Sequence, residues 1–119
     1  MKGKQAFPKS ARLRKRPEFL RLSRSGYKIH SENFVVISKS SDRAESRVGI
    51  TVSGKVGNSV IRNRIKRQVR EFFRRRRAEL PHGVDFLVIA RKSAVDLPSS
   101  VLDDELAKSF SPQRVRRQV

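Results

Sequence analysis

Between residues 59 and 77 of the 119-residue chain, Ile61, Ile65, Val69, Phe72 and Phe73 recur at spacings of three and four. At 100° per residue they fall within about 120° of one another, so the pattern predicts an amphipathic helix with one apolar stripe. Val60 falls off that stripe. Asn58 or Ser59 is the expected N-cap, because a short polar side chain there accepts a backbone N–H of the first turn. The stretch "LPHG" at 80–83 ends the helix.

Elsewhere the period is two, or the apolar run is unbroken. "RVGITVS" at 47–53 turns Val48, Ile50 and Val52 inward against Gly49 and Thr51, the period of a half-buried strand. Residues 27–39 read as strand, broken near Ser31, with "NFVVIS" as its clearest part. The polar "KSSDRAES" at 39–46 makes a turn. "VDFLVIA" at 84–90 is apolar almost throughout, which predicts a strand covered on both faces.

Two shorter helices flank these strands. "PEFLRLSRSG" at 17–26 has Pro17 in its first turn, Glu18 at its positive end and Gly26 as a left-handed stop, with Phe19, Leu20 and Leu22 to bury. In "DLPSSVLDDELAKSF", Ser100 with Asp103 resembles a capping box, Asp103, Asp104 and Glu105 are expected in the first turn, and Leu102, Leu106 and Phe110 stack at i,i+4. The order, αββαβα with the first strand split, predicts an α+β sandwich: a small mixed β-sheet packed by helices. One domain accounts for residues 1–119, with a basic arm at 1–16 and a mobile basic tail at 111–119.

Charge changes the picture most. Lys and Arg total 29 against 11 acids, a net +18, and residues 55–77 hold ten of those cations against one Glu. Like charges at i,i+4 each cost a helix a few tenths of a kcal/mol, so a polyanionic partner is the expected compensation. The apolar stripe is needed for the core, which disfavours a membrane surface as that partner. Asn63, Arg67, Arg70 and Arg74 lie opposite the stripe, flanked by Arg62, Lys66 and Arg77 on one margin and Arg64 and Arg75 on the other. Arg engages phosphates bidentately, and the Asn63 amide either reads a base edge or a ribose hydroxyl or is simply a solvated helix residue. Composition does not choose between RNA and DNA. A strand and a glycine-rich loop precede the basic helix, however, where a helix-turn-helix would have a short helix.

Protein-borne catalysis is poorly supplied. There is no Cys, and His30 and His82 are the only imidazoles. Asp103, Asp104 and Glu105 point about 100° apart on a helix and read as helix-start acids rather than as a Mg²⁺ site. "GKVGNS" is too loose for a phosphate loop. No catalytic residue and no metal ligand is assigned. The longest apolar runs fall far short of the roughly 20 residues of a bilayer span, and no secretory signal is visible at the N-terminus. The expected location is the cytoplasm.

The segment "KVGNSVIRNRIKRQVREFFR" resembles the signature of the protein subunit of bacterial ribonuclease P, matched here by Lys55, Gly57, Asn58, Arg62, Asn63, Arg64, Lys66, Arg67, Arg70 and Glu71. The likeness extends over roughly residues 7 to 110. It implies an α/β sandwich with a left-handed βαβ crossover, an exception to the usual handedness. It also implies an accessory subunit whose partner RNA carries the active site and the Mg²⁺ ions and cuts precursor tRNA to release its 5′ leader, in a 1:1 ribonucleoprotein with monomeric protein and no protein-bound cofactor. RNA contacts are then expected at Lys55, Asn58, Arg62, Asn63, Arg64, Lys66, Arg67, Arg70 and Arg74. The leader cleft is expected to include Arg12, Phe19 and Ile37. Ser23 and Ile37 stand where the family often has aromatics, which implies weaker or less selective stacking, and Gly54 stands where it usually has Lys or Arg. A ribosomal-protein-like RNA scaffold is the alternative reading, followed by a DNA-binding regulator and an independent nuclease.

Overall fold

The computed structural model describes Arg12, Leu13 and residues 16–110. The rest of the expected arm and the tail at 111–119 lie outside the described residues. Helix α1 (Arg16–Ser25) is followed by strands β1 (Tyr27–His30), β2 (Phe34–Ser40) and β3 (Arg47–Thr51), then by helix α2 (Ser59–Arg75), strand β4 (Val84–Ala90) and helix α3 (Ser99–Ser109). The four strands form one sheet in the order β1-β2-β4-β3. β1 and β2 are an antiparallel hairpin, β2 and β4 are antiparallel, and β3 and β4, joined through α2, are parallel. β4 is therefore central, as its unbroken apolar run requires, and the break near Ser31 is the hairpin turn.

One face of the sheet carries the main core. Phe34, Val36, Val48, Phe86 and Val88 meet Ile65, Val69, Phe72 and Phe73 of α2 and Leu102, Leu106 and Phe110 from α3 and its end. The Phe86 and Phe110 ring centroids lie 4.6 Å apart, and Phe72 and Phe110 5.4 Å apart. Asn58 is the N-cap of α2, its Oδ1 accepting the Ile61 N–H at 3.0 Å. Val60, off the stripe, is 73% exposed.

The other face is covered by α1 and by the bridge of Arg12 to Val48, where the Leu13 N–H donates to the Val48 carbonyl at 2.9 Å. The strand registers lay its residues out in three rows. Lys39, Asp85 and Arg47 form the first; Lys28, Ile37, Leu87 and Gly49 the second; His30, Val35, Ile89 and Thr51 the third. Leu13 and Leu22 pack on Ile37 and Leu87 of the second row. Arg47 locks the first: its Nε and Nη2 donate to Asp85 at 3.0 and 2.8 Å, and its Nη1 donates to Glu18 of α1 at 3.0 Å. The Asp85 hydrogen bond, set against the cost of burial, raises the Arg47 pKa, and the nearby charges of Asp85 and Glu18 add to that rise. The third row has no such cover, with His30 exposed and Val35, Ile89 and Thr51 half-buried.

Several local expectations are corrected. Gly26 is not left-handed; a glycine is needed there because a Cβ would strike Ile37 Cγ2 and lie 2.7 Å from the Leu22 carbonyl oxygen. Leu20 points outward at 43% exposure. α3 begins at Ser99 after Pro98, with no side-chain cap, so the Ser100–Asp103 capping box does not form and the three acids fall beyond the first turn.

Candidate nucleic-acid interface

The apolar stripe of α2 fixes the azimuth of every cation on it. With Ile65, Val69, Phe72 and Phe73 seated on the sheet, Asn63, Arg64, Arg67 and Arg70 are exposed and Lys66 and Arg74 half-buried. Asn63, Lys66 and Arg67 make no side-chain hydrogen bond or ion pair among the described residues. Although Arg70 is exposed overall, its guanidinium lies partly desolvated against the protein, and this, followed by the like charge of Arg12, holds it below its ordinary pKa. That places Arg12 and Arg70 as neighbours where α2 meets the sheet edge. Two guanidiniums sharing a corner gain from an anion between them.

The flank of α2 toward α3 is different. Arg64 pairs with Asp96 at 3.3 Å, Arg75 with Asp103 at 3.0 Å and Arg74 with Glu71 at 2.6 Å. The helix thus presents an uncompensated face and a carboxylate-matched flank. Of the remaining expected contacts, Lys55 is exposed in the turn before α2. The Arg62 Nε donates to the Gly57 carbonyl at 3.1 Å and braces the same turn. Asn58 spends its side-chain oxygen on the cap, so its first role is to start the helix.

The expected leader cleft is only partly assembled. Phe19 of α1 is half-buried, and its ring lies over Gly49: a Cβ there would sit 2.8 Å from Phe19 Cε1. Only glycine lets the ring approach β3 so closely. Ile37 is corrected: at 2% exposure beneath α1 it is a foundation rather than a contact surface. The accessible floor is the third row, Val35, Ile89 and Thr51, with Arg91 at its end, where Arg91 Nη2 and His30 Nδ1 are 3.2 Å apart. Sequence reasoning missed this row because strand parity marks a residue's face, not how far a helix covers it.

The acids of α3 face three environments. Asp103 pairs with Arg75, Asp104 is exposed, and Glu105 accepts hydrogen bonds from Ser31 Oγ, the Asn33 N–H at 2.7 Å and Asn33 Nδ2 at 2.6 Å. They do not converge on one ion and do not fit a protein-borne Mg²⁺ site. Burial alone would push the Glu105 carboxyl up, but these hydrogen bonds outweigh it and hold the group below its ordinary range. No helix among the described residues is long and apolar enough to cross a membrane.

Known proteins match this arrangement along nearly its whole length. The Ribonuclease P family profile matches residues 7–113. The ribonuclease P protein component of Citrifermentans bemidjiense is 43% identical over 108 residues, covering 91% of this chain and 92% of that one. Among solved structures, the Staphylococcus aureus RNase P protein superposes with a TM-score of 0.82 at 32% identity, covering 90% of this chain and 98% of that one. The Thermotoga maritima RNase P protein gives 0.78 at 35% identity, covering 83% and 94%. The chain belongs to the ribonuclease P protein family, and its role is that of the protein component of this RNA-containing endoribonuclease.

Proposed function

We propose that the uncompensated face of α2 docks on the RNA subunit while the uncovered row of the sheet, bordered by Phe19 and Arg12, receives the single-stranded 5′ leader of precursor tRNA. The observation that carries this reading is the juxtaposition of Asn63, Lys66, Arg67 and Arg70, cations and an amide not neutralised by carboxylates, with a sheet face that α1 leaves open. Cations placed between two RNAs lower their mutual repulsion. A half-buried apolar floor beside Phe19 suits unpaired bases, of which the one stacked on the Phe19 ring would gain about 1–3 kcal/mol. Mg²⁺ held through the RNA subunit, rather than by this chain, would activate the water for phosphodiester hydrolysis. The protein's own part is to hold leader and RNA together, as one copy per particle, in the cytoplasm.

Reconstitution tests this. The protein is mixed with a bacterial ribonuclease P RNA and precursor tRNA at a Mg²⁺ concentration too low for the RNA alone. Leader removal should appear only when protein and RNA are both present. Cleavage by the protein without RNA would overturn the reading in favour of an independent nuclease, and an unchanged rate with RNA of matched origin would favour a scaffold with no part in tRNA processing.

A further inference from the structure

We propose that the groove between α2 and α3 is a nucleobase slot that takes one unpaired guanine of the RNA subunit. The proposal rests on the reading that α2 meets that RNA. The groove encloses about 320 Å³ and is lined by Arg67, Gln68, Glu71 and Arg75 of α2 and by Leu102 and Asp103 of α3, among others. Its floor is carbon: Leu102 is 1% exposed, and the stems of the surrounding long side chains complete the wall.

Its rim carries an unusual charge pattern for a protein of net charge +18. A phosphate placed inside would meet the carboxylates of Glu71 and Asp103, which repel it. A base edge with N–H donors would not. Glu71 gives both oxygens to Arg74, at 2.6 and 3.3 Å, and is already satisfied. Asp103 gives Oδ2 to Arg75, at 3.0 Å, which leaves Oδ1 for another donor. The Gln68 amide makes no hydrogen bond among the described residues. Guanine offers on one edge an acceptor, O6, and two donors, N1–H and N2–H: the complement of an amide N–H beside a carboxylate. Arg75 supplies a stacking plane, because Asp103 fixes one end of its guanidinium and the Glu71 carbonyl accepts from its Nε at 3.3 Å. Unpaired RNA bases are read in this way, by stacking on guanidinium planes and hydrogen bonds to the Watson–Crick edge.

Position favours the RNA subunit over the leader. At 100° per residue, Gln68, Glu71 and Arg75 lie on the flank of α2 away from Arg70, and Arg70 is the neighbour of Arg12 at the sheet. The leader floor is on Arg70's side. The nucleotide that follows a phosphate seated on Arg67, on the rim between the two flanks, is the one placed to turn into the groove.

The test measures binding of the RNA subunit to wild-type protein, to Asp103→Asn and to Gln68→Ala, each checked for folding by thermal melting. Kethoxal, which reacts at N1 and N2 of unpaired guanine, probes each complex. Wild-type protein should protect one guanine, and both variants should expose it again with about tenfold weaker binding. The sign for Asp103→Asn is decisive, because removing a negative charge next to a polyanion would by electrostatics alone tighten binding. Unchanged or tighter binding by Asp103→Asn, with an unchanged kethoxal pattern, overturns the slot. Should Asp103→Asn not fold, Gln68→Ala decides by the same two readouts. Absence of any binding by wild-type protein overturns both the slot and the docking reading beneath it; normal binding with no protected guanine overturns the slot alone.

Discussion

The two faces of the sheet are made from the same four strands but finished differently. Toward α2 and α3 the surface closes over Phe34, Phe86 and Val88 with an aromatic cluster, and these three sheet residues are fully buried there. Toward α1 the cover stops one row short: a small cluster of Leu13, Leu22, Ile37 and Leu87 closes the second row, and a charged lock, Arg47 gripping Asp85 and Glu18, closes the first. The closed face carries stability, and on the proposed reading the half-open face together with the outer side of α2 takes the RNA. Substitutions in the aromatic core should therefore move stability and leave the RNA-binding energetics intact, substitutions of the exposed cations of α2 should do the reverse, and the Arg47 lock, which holds α1 over the half-open face, should move both.

The largest effect expected is on the closed face. Phe86→Ala removes the ring that contacts Phe110 and Phe73 and should cost about 3–5 kcal/mol, read as a lower urea midpoint, with unchanged RNA affinity for the fraction that stays folded. A loss of affinity without a loss of stability would break the division between the faces. Next comes the lock. Arg47→Ala leaves Asp85, 5% exposed, without its cation and should cost about 2–3 kcal/mol. It should also loosen α1 and weaken binding of substrates with long leaders more than of mature tRNA; an equal loss for both would detach α1 from the leader.

Glu105 sharpens the comparison at its border, where α3 is tied to the β1–β2 turn. Its carboxyl pKa is lower folded than unfolded, so its contribution is present above the ordinary Glu value and is lost as pH falls through the folded one. Glu105→Gln should therefore be less stable than wild type at pH 7, with the gap closing below about pH 4.5 in acid titrations followed by circular dichroism. A pH-independent gap would remove ionisation from the account. The smallest effect is a gain: nothing lies within 4 Å of a Cβ built on Gly54, so Gly54→Lys should fit without loss of stability and tighten RNA binding by about one phosphate contact. Unchanged affinity would place that turn away from the RNA.

Much of this was legible in the sequence because period and charge are local. The stripe from Ile61 to Phe73, the alternation of Val48 and Ile50 and the break at Ser31 each follow from chain geometry. What escaped depends on distant partners. Asp103 reads as a capping acid until Arg75, 28 positions earlier, claims it. Gly26 reads as a helix stop until Ile37 is found against it. The family resemblance puts Ile37 in the cleft, yet α1 covers its row and leaves that of Val35 and Ile89 open. The registers between β2, β4 and β3 decide which residues share that open row, and one strand's alternation does not encode its neighbour's register.

The central claim, that the outer face of α2 is neutralised by RNA phosphates, is tested most directly by the salt dependence of RNA-subunit binding for wild type and for the Arg67→Ala, Arg70→Ala double variant. The account predicts weaker binding, a slope of log K against log salt shallower by about one to two, and an unchanged melting temperature. An affinity and slope equal to wild type would contradict it.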